Sequence, residues 1–147
     1  LPDVLGYLSS RSHSIGVGIE KAQSIEDLRE VMEHINPLIR NLVDKGTRIR
    51  FLMDLLGALN TRLIAKVWEL TVDESVRANT ALVVLGSEGR SEQIVRTDQD
   101  NALIIRDGFE WPTRAQDTQR FIDELIGLGF PPCPGNVMVS NPQLAKK

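Results

Sequence analysis

The sequence contains few of the residues on which several common kinds of protein chemistry depend. It has one cysteine and two histidines among 147 residues, so no internal disulfide can form, and neither His13 nor His34 has a partner at metal-ligand spacing. No apolar run is long enough to cross a bilayer, and no signal peptide is visible at the start. No Lys/Arg-rich run indicates a nucleic-acid-binding face. These absences favour a cytoplasmic protein with no membrane partner, and they argue against nucleic acid as its main partner.

The composition is that of an ordinary globular chain. Hydrophobic residues make up 41% and charged residues 25%, and the formal net charge is -3. Such a chain can bury a core and suits one domain, or one domain with a helical appendage. The acidic balance does not exclude a nucleotide ligand, because one local cluster of donors is enough to bind it. Since the sequence starts at Leu1 rather than at Met, we expect it to be cut from a longer protein.

The first half of the chain predicts a helical hairpin over residues 24–72. Ser24 is a good N-cap, and apolar residues then recur at helical spacing. Pro37 is expected to break or kink this helix, and Gly46 is expected to end it. Thr47 can cap a second long helix. We expect the two helices to be antiparallel and to serve mainly as a packing scaffold.

The second half predicts a small sheet with a flanking helix. The short apolar runs 81–85 and 102–105 are typical of buried strands, and 137–139 offers a third, shorter strand. Thr113 can cap a helix between the second and third strands, and Gly129 follows the end of that helix. The predicted fold class is therefore α+β, with the helical hairpin followed by a small mixed β-sheet.

The end of the first predicted strand carries residues suited to phosphate. Gly86 and Ser87 form a turn there, where glycine permits close approach of the backbone and exposed N–H groups can surround phosphate oxygens. The Ser87 hydroxyl can donate to the same phosphate. Arg90 adds a planar positive group within reach of a triphosphate. A Walker A loop is excluded, because no Gly-Lys-Ser/Thr sequence follows.

The start of the second predicted strand carries two carboxylates, Asp98 and Asp100. Residues two apart on a strand project from one face, with Cα atoms roughly 6.5–7 Å apart. Both side chains can then converge on one divalent cation or bridge two of them. Magnesium takes carboxylate oxygens, waters and substrate phosphates as ligands. In two-metal sites one ion activates the attacking oxygen and the other stabilises the leaving group.

Each of these features has an ordinary structural alternative. A Gly-Ser turn after a strand is common, and so is an Asp-x-Asp pair at a strand entrance. Arg90 and Glu92 form a surface ion pair in the simplest alternative. Their combination favours a functional site, because the Gly-Ser turn and the Asp-x-Asp pair occur in this order within one short span, and each is attached to a predicted strand.

The combined pattern resembles the signature of the polymerase-beta-like nucleotidyltransferase superfamily. The residues that carry the likeness are Gly86, Ser87, Arg90, Glu92, Asp98 and Asp100. A more specific likeness is to nucleotidyltransferases that follow CBS-domain pairs and cyclic-nucleotide-binding domains in bacterial signalling proteins. That family is related to the uridylyltransferase that modifies the nitrogen-regulatory protein PII. Residues 128–135 and the helical region 25–70 also resemble it.

The resemblance implies roles for individual residues. Those expected to bind the triphosphate are Gly86, Ser87 and Arg90. Those expected to bind Mg²⁺ or Mn²⁺ and to act in catalysis are Asp98 and Asp100. Those expected to support the site are Glu92, Gln99 and Asn101. Cys133 is expected to be structural or to form a wall of the site, and not to be a nucleophile, because nothing nearby in the sequence lowers the pKa of its thiol.

The superfamily has a third carboxylate on a later strand, which this sequence does not supply. Residues 137–140 contain no acid. The other acids of this half fall in a turn or on the predicted helix, and they are Asp107, Glu110, Asp117, Asp123 and Glu124. We expect the missing acid to follow Lys147, which would leave this piece of the protein inactive.

These observations divide the chain into a connector from an upstream domain, 1–23, and a nucleotidyltransferase domain, 24–147, whose sheet region 80–147 is incomplete. The expected function is magnesium-dependent transfer of a nucleoside monophosphate from a nucleoside triphosphate to an acceptor, by resemblance a protein. One alternative is a regulatory module that binds a nucleotide without catalysis. Another is a structural module in which the hairpin mediates association, with Leu56 and Leu63 as the contact residues to test.

Overall fold

The computed structural model describes residues 13–84 and 101–130. Residues 13–21 are helical and are called α1. The elements that follow are α2 (Ile25–Asp44), α3 (Ile49–Thr71), α4 (Glu74–Asn79), β1 (Thr80–Val84), β2 (Asn101–Ile105) and α5 (Arg114–Gly127). The predicted α+β class is confirmed. The chain forms two compact units that meet between Lys66 and Val67, inside α3.

In the first unit, α2 begins as its sequence predicts. The Ser24 Oγ accepts a hydrogen bond from the Asp27 N–H at 3.2 Å, which satisfies one of the free donors of the first turn. Glu26 and Asp27 lie in that turn, where carboxylates suit the helix dipole. One face of the helix is buried, and its buried residues are Leu28, Met32, Ile35, Leu38 and Leu42.

The sequence predicted a break or a kink at Pro37, and the break does not occur. The helix continues from Ile25 to Asp44 with Pro37 inside it. A proline in a helix removes one backbone hydrogen bond and crowds the preceding turn. Pro37 lies on the exposed face of α2, so water can reach the carbonyl that loses its donor. The buried apolar residues on both sides hold the two halves in one helix.

Gly46 ends the first long helix, as predicted. Its φ is 72°, a conformation that glycine adopts without steric cost. The Gly46 N–H donates to the Val43 carbonyl at 3.0 Å and the Thr47 N–H to the Leu42 carbonyl at 3.0 Å, which together form a Schellman motif. The predicted Thr47 cap is one residue too early, because the Arg48 carbonyl accepts the first bond of α3, from the Leu52 N–H.

The helix α1 was not predicted from the sequence. Ile15, Ile19 and Ala22 are buried along or just after it. It is held against α3 by a hydrogen bond of 2.9 Å from the Lys66 Nζ to the Glu20 carbonyl. This part of 1–23 is therefore ordered against the first unit, and the role of 1–23 as an interdomain connector stays a prediction.

The second unit has an aromatic core around α5. The ring of Trp68 meets that of Phe121 edge-on, with centroids 5.1 Å apart. Trp111 packs edge-on against the same indole at 6.2 Å. The Trp111 Nε1 and the Thr113 Oγ1 both donate to the Asp117 Oδ2 at 2.8 Å. Thr113 is at the predicted N-cap position, but its hydroxyl binds this carboxylate and not a backbone N–H of the helix.

The two strands form an antiparallel pair, in the register Thr80↔Ile105 through Val84↔Asn101. No residue of β1 is fully buried, so the prediction of a buried first strand is wrong. β2 alternates between buried and more exposed positions, and Ile104 is 64% exposed. The predicted third strand, 137–139, lies outside the described residues. Among the described residues, no helix is long and apolar enough to cross a membrane.

Candidate functional site

Most of the predicted site residues lie outside the part of the chain that the structure describes. They are Gly86, Ser87, Arg90, Glu92, Asp98, Gln99 and Asp100. Asn101 is described, and so is Val84, which lies two residues before Gly86. What the structure describes near the predicted site is the end of the sheet at Val84 and Asn101, to which these residues are joined along the chain.

Val84 and Asn101 are directly opposite each other in the β1–β2 ladder. Partner residues of an antiparallel pair have Cα atoms about 4.5–5.5 Å apart. The segment 85–100 therefore leaves and re-enters the sheet at the same end, which we call the motif end.

Chain connectivity limits how far the two motifs can lie from the motif end. Ser87 is three residues from Val84, and Asp98 is three residues from Asn101. Since consecutive Cα atoms are about 3.8 Å apart, three steps of chain keep the Ser87 Cα within about 11 Å of that of Val84, and the Asp98 Cα within about 11 Å of that of Asn101.

The other end of the two-stranded sheet is closed by local hydrogen bonds. The Arg106 N–H donates to the Asn79 carbonyl at 2.9 Å, and the Arg106 Nη1 donates to the Asn79 Oδ1 at 3.3 Å. Gly108, with φ 78°, makes the turn that follows. At about 3.3–3.4 Å per residue, the four steps of β2 place this closed end roughly 13 Å from the motif end.

The two faces of the sheet differ in burial. On one face Asn101, Leu103 and Ile105 are buried. On the other face Ala102 is half-buried and Ile104 is exposed. Because side chains alternate along a strand, even-numbered positions of β2 lie on the open face. We call it the open face of the sheet.

Asn101 is a buried polar residue at the boundary between the motif and the sheet. It is 2% exposed and has an interaction partner. Its side chain is on the face of Leu103 and Ile105, opposite the open face. Its burial was not predicted, because residues 102–105 are all apolar and their pattern does not indicate which face of the strand is buried.

Several acids of the second unit are engaged in local structure. Asp117 accepts hydrogen bonds from Trp111 and Thr113, and the Asp123 Oδ1 accepts one from the Gln119 Nε2 at 2.9 Å. Neither β1 nor β2 contains a carboxylate. In residues 13–84 and 101–130, no group of three or more His, Cys, Asp or Glu residues could hold a metal ion. The third acid of the predicted site is therefore not on either described strand.

The sheet, its flanking helices and the motif end define an α+β protein with a strand–motif–strand arrangement. Residues 33–147 match the model of the family described as "Putative nucleotidyltransferase DUF294". The match covers most of the chain, and the chain belongs to this family. The family description indicates nucleotidyl transfer as the class of activity. No curated protein and no solved structure matches the chain.

Proposed function

We propose that this domain, when a third carboxylate completes its site, transfers a nucleoside monophosphate from a nucleoside triphosphate to an acceptor and releases pyrophosphate, with Mg²⁺ or Mn²⁺ bound by Asp98 and Asp100. The observation that carries the proposal is the pairing of Val84 with Asn101. It joins the Gly86-Ser87 turn and the Asp-x-Asp pair to one end of one sheet. Membership of the DUF294 family supports the same class of activity.

The alternation of β2 supports a common direction for the two carboxylates. If the strand geometry continues upstream from Asn101, positions 98 and 100 fall on the open face with Ala102 and Ile104. That face has no buried residue in β2. A charged pair on it would stay hydrated and free to bind a cation, whereas burial of unpaired carboxylates costs several kcal/mol.

In this proposal the residues of the chain bind and position the substrate. The N–H groups of the Gly86-Ser87 turn and the Ser87 hydroxyl donate to phosphate oxygens, and Arg90 neutralises part of the triphosphate charge. Asp98 and Asp100 supply carboxylate oxygens to the cation. When bound there, the cation would supply Lewis-acid stabilisation of the phosphoryl group and of the attacking oxygen. Asn101, a buried polar residue directly after Asp100 in the sequence, is proposed to support the site.

We further propose a protein as the acceptor, in bacterial signalling, with CBS or cyclic-nucleotide-binding domains upstream in the parent protein. The support is the likeness of the motif region to the PII-modifying uridylyltransferase family. The second candidate is a nucleotide-binding module without catalysis. The observation that favours it is the absence of a carboxylate from β1 and β2.

The experiment that tests the proposal measures binding of Mg²⁺ and a nucleoside triphosphate by calorimetry. The Asp98→Asn and Asp100→Asn variants should each reduce metal-dependent binding at least about tenfold, because each removes a charged ligand. Asp123→Asn is the matched control, since Asp123 contacts Gln119 on α5, and it should bind like the unmodified protein. Equal binding by all three variants would overturn the assignment of the metal ligands.

A further inference from the structure

The first unit carries an open pocket between α1 and α2, with a volume of about 260 Å³. Gly18, Ala22 and Val31 supply its small and apolar lining, Asp27 and Glu30 supply carboxylates, and His34 supplies an imidazole. Cavities that take small-molecule ligands usually exceed 300 Å³. This volume suits one or two side chains better than a nucleotide. We call it the α1–α2 pocket.

The turn between α2 and α3 exposes large apolar side chains and arginines. Val43, Ile49 and Phe51 are 46%, 50% and 45% exposed, although large apolar residues favour burial. Arg48 and Arg50 are also exposed, and no ion pair among the described residues involves either of them. We call residues 43–51 the basic tip.

We propose that the basic tip of one copy of this chain docks into the α1–α2 pocket of a second copy. The two surfaces complement each other in polarity, because an apolar group at the tip can enter the apolar part of the pocket. They also complement each other in charge, because the arginines of the tip would face Asp27 and Glu30. One cation, Lys21, also lines the pocket, and it reduces this attraction without cancelling it.

The tip and the pocket of one copy cannot contact each other, because both include residues of the same helix, α2, that lie far apart along its axis. Glu30 and Val43 are thirteen positions apart on one continuous helix. At 1.5 Å per residue they lie roughly 20 Å apart along the axis. Docking therefore requires a second copy. Since the contact joins unlike surfaces, each copy has one donor tip and one acceptor pocket.

All of the pocket-lining residues except His34 precede the region that matches the family model, which starts at residue 33. Leu56 and Leu63, the residues first considered for an association surface, are buried inside the chain at 8% and 0% exposure. Polar substitution there would damage the core. The tip and the pocket are accessible and can be altered without entering the core.

The test uses two variants of the full chain and their mixture in sedimentation velocity. A tip variant, Arg48→Glu with Phe51→Ser, and a pocket variant, Glu30→Lys, should each raise the apparent dissociation constant of self-association at least about fivefold. Mixing them should restore association, because the pocket of the tip variant and the tip of the pocket variant are both intact. In the mixture the complex should contain one copy of each variant. Circular dichroism checks that each variant keeps the helical fold.

Glu33→Lys is the matched control for the pocket, since Glu33 is exposed on the same helix and does not line the pocket. It should associate like the unmodified chain. Monomeric behaviour of the unmodified chain up to millimolar concentration would overturn the proposal, and so would failure of the mixture to associate. Tip-dependent binding to anionic phospholipid vesicles, with no self-association, would instead assign the tip to a membrane surface.

Discussion

At the scale of single residues, the proposed orientation of the candidate site depends on which face of the sheet Asn101 and its neighbour Asp100 occupy. Asn101 is buried on the face of Leu103 and Ile105. If the strand geometry continues one residue upstream, as proposed, position 100 falls on the open face, because neighbours on a strand point to opposite faces. A shift of one residue would exchange the two, because the period of side chains along a strand is two. The proposed orientation of the site therefore rests on the register in which Asn101 is buried and pairs with Val84.

Ser87→Ala should weaken nucleoside triphosphate binding by about 0.5–1.5 kcal/mol, because one neutral hydrogen bond contributes about that much net. Monophosphate binding should change less, since Ser87 is proposed to contact the outer phosphates. Isothermal titration with both ligands measures the difference. Ser75→Ala, on the exposed side of α4, is the control for the same chemical change. An equal loss for both ligands would mean that Ser87 contacts another part of the nucleotide.

Residues whose role depends on local chemistry were predictable from the sequence. Ser24 caps α2 because its hydroxyl reaches an N–H three residues away. Gly46 ends that helix because the turn needs a positive φ at this one residue, which glycine adopts easily. Pro37 was not predictable in the same way. Its local preference is opposed by the burial of Ile35 and Leu38 on either side, which is a property of the packed unit.

At the scale of elements, the sequence predicted the positions of the long helices more accurately than it predicted the burial of the strands. An apolar stripe at helical spacing indicates which face of α2 is covered, whatever covers it. A short apolar run such as 81–85 indicates a strand, but it does not reveal how many faces are covered. β1 is exposed or half-buried along its length. The short helix α4 was missed because its six residues contain less than two full turns of periodicity.

The end of α2 provides a paired prediction at this scale. Gly46→Ala should lower the free energy of unfolding by about 1–2 kcal/mol, because an L-residue in the left-handed region is strained. Gly57→Ala should raise it by about 0.5–1 kcal/mol, because Gly57 is inside α3 and its added methyl would meet no atom within 4 Å. Urea unfolding of both variants measures the two changes. Changes of the same sign would contradict the assigned end of α2.

At the scale of the whole molecule, the family match and the candidate site both concern the strand–motif–strand region. The motif residues could be proposed from the sequence because their types and spacing suit phosphate and metal binding. Their three-dimensional arrangement was not obtained this way, because it depends on the path of residues 85–100 between the two strands. The pairing of Val84 with Asn101 fixes where that path starts and ends.

The chain of 147 residues should bind Mg²⁺-nucleotide weakly and release no measurable pyrophosphate. Two carboxylates supply only part of the negative charge that two divalent ions need beside a triphosphate. Without a third acid, the attacking oxygen is neither activated nor well aligned. A pyrophosphate-release assay with cell lysate as the source of acceptor measures this. Robust turnover that depends on Asp98 would show that the third carboxylate is within the chain.

The central claim is that the metal–triphosphate site lies at the motif end of the sheet. Its most direct test is an NMR titration with Mn²⁺ and a nucleoside triphosphate, because paramagnetic broadening falls steeply with distance from the ion. The backbone amides of Val84 and Asn101 should broaden first, and that of Arg106 at the closed end should broaden last within the sheet. The Asp98→Asn, Asp100→Asn double variant should lose the effect. Strongest broadening at Arg106, or at the acids of α2, would contradict the account.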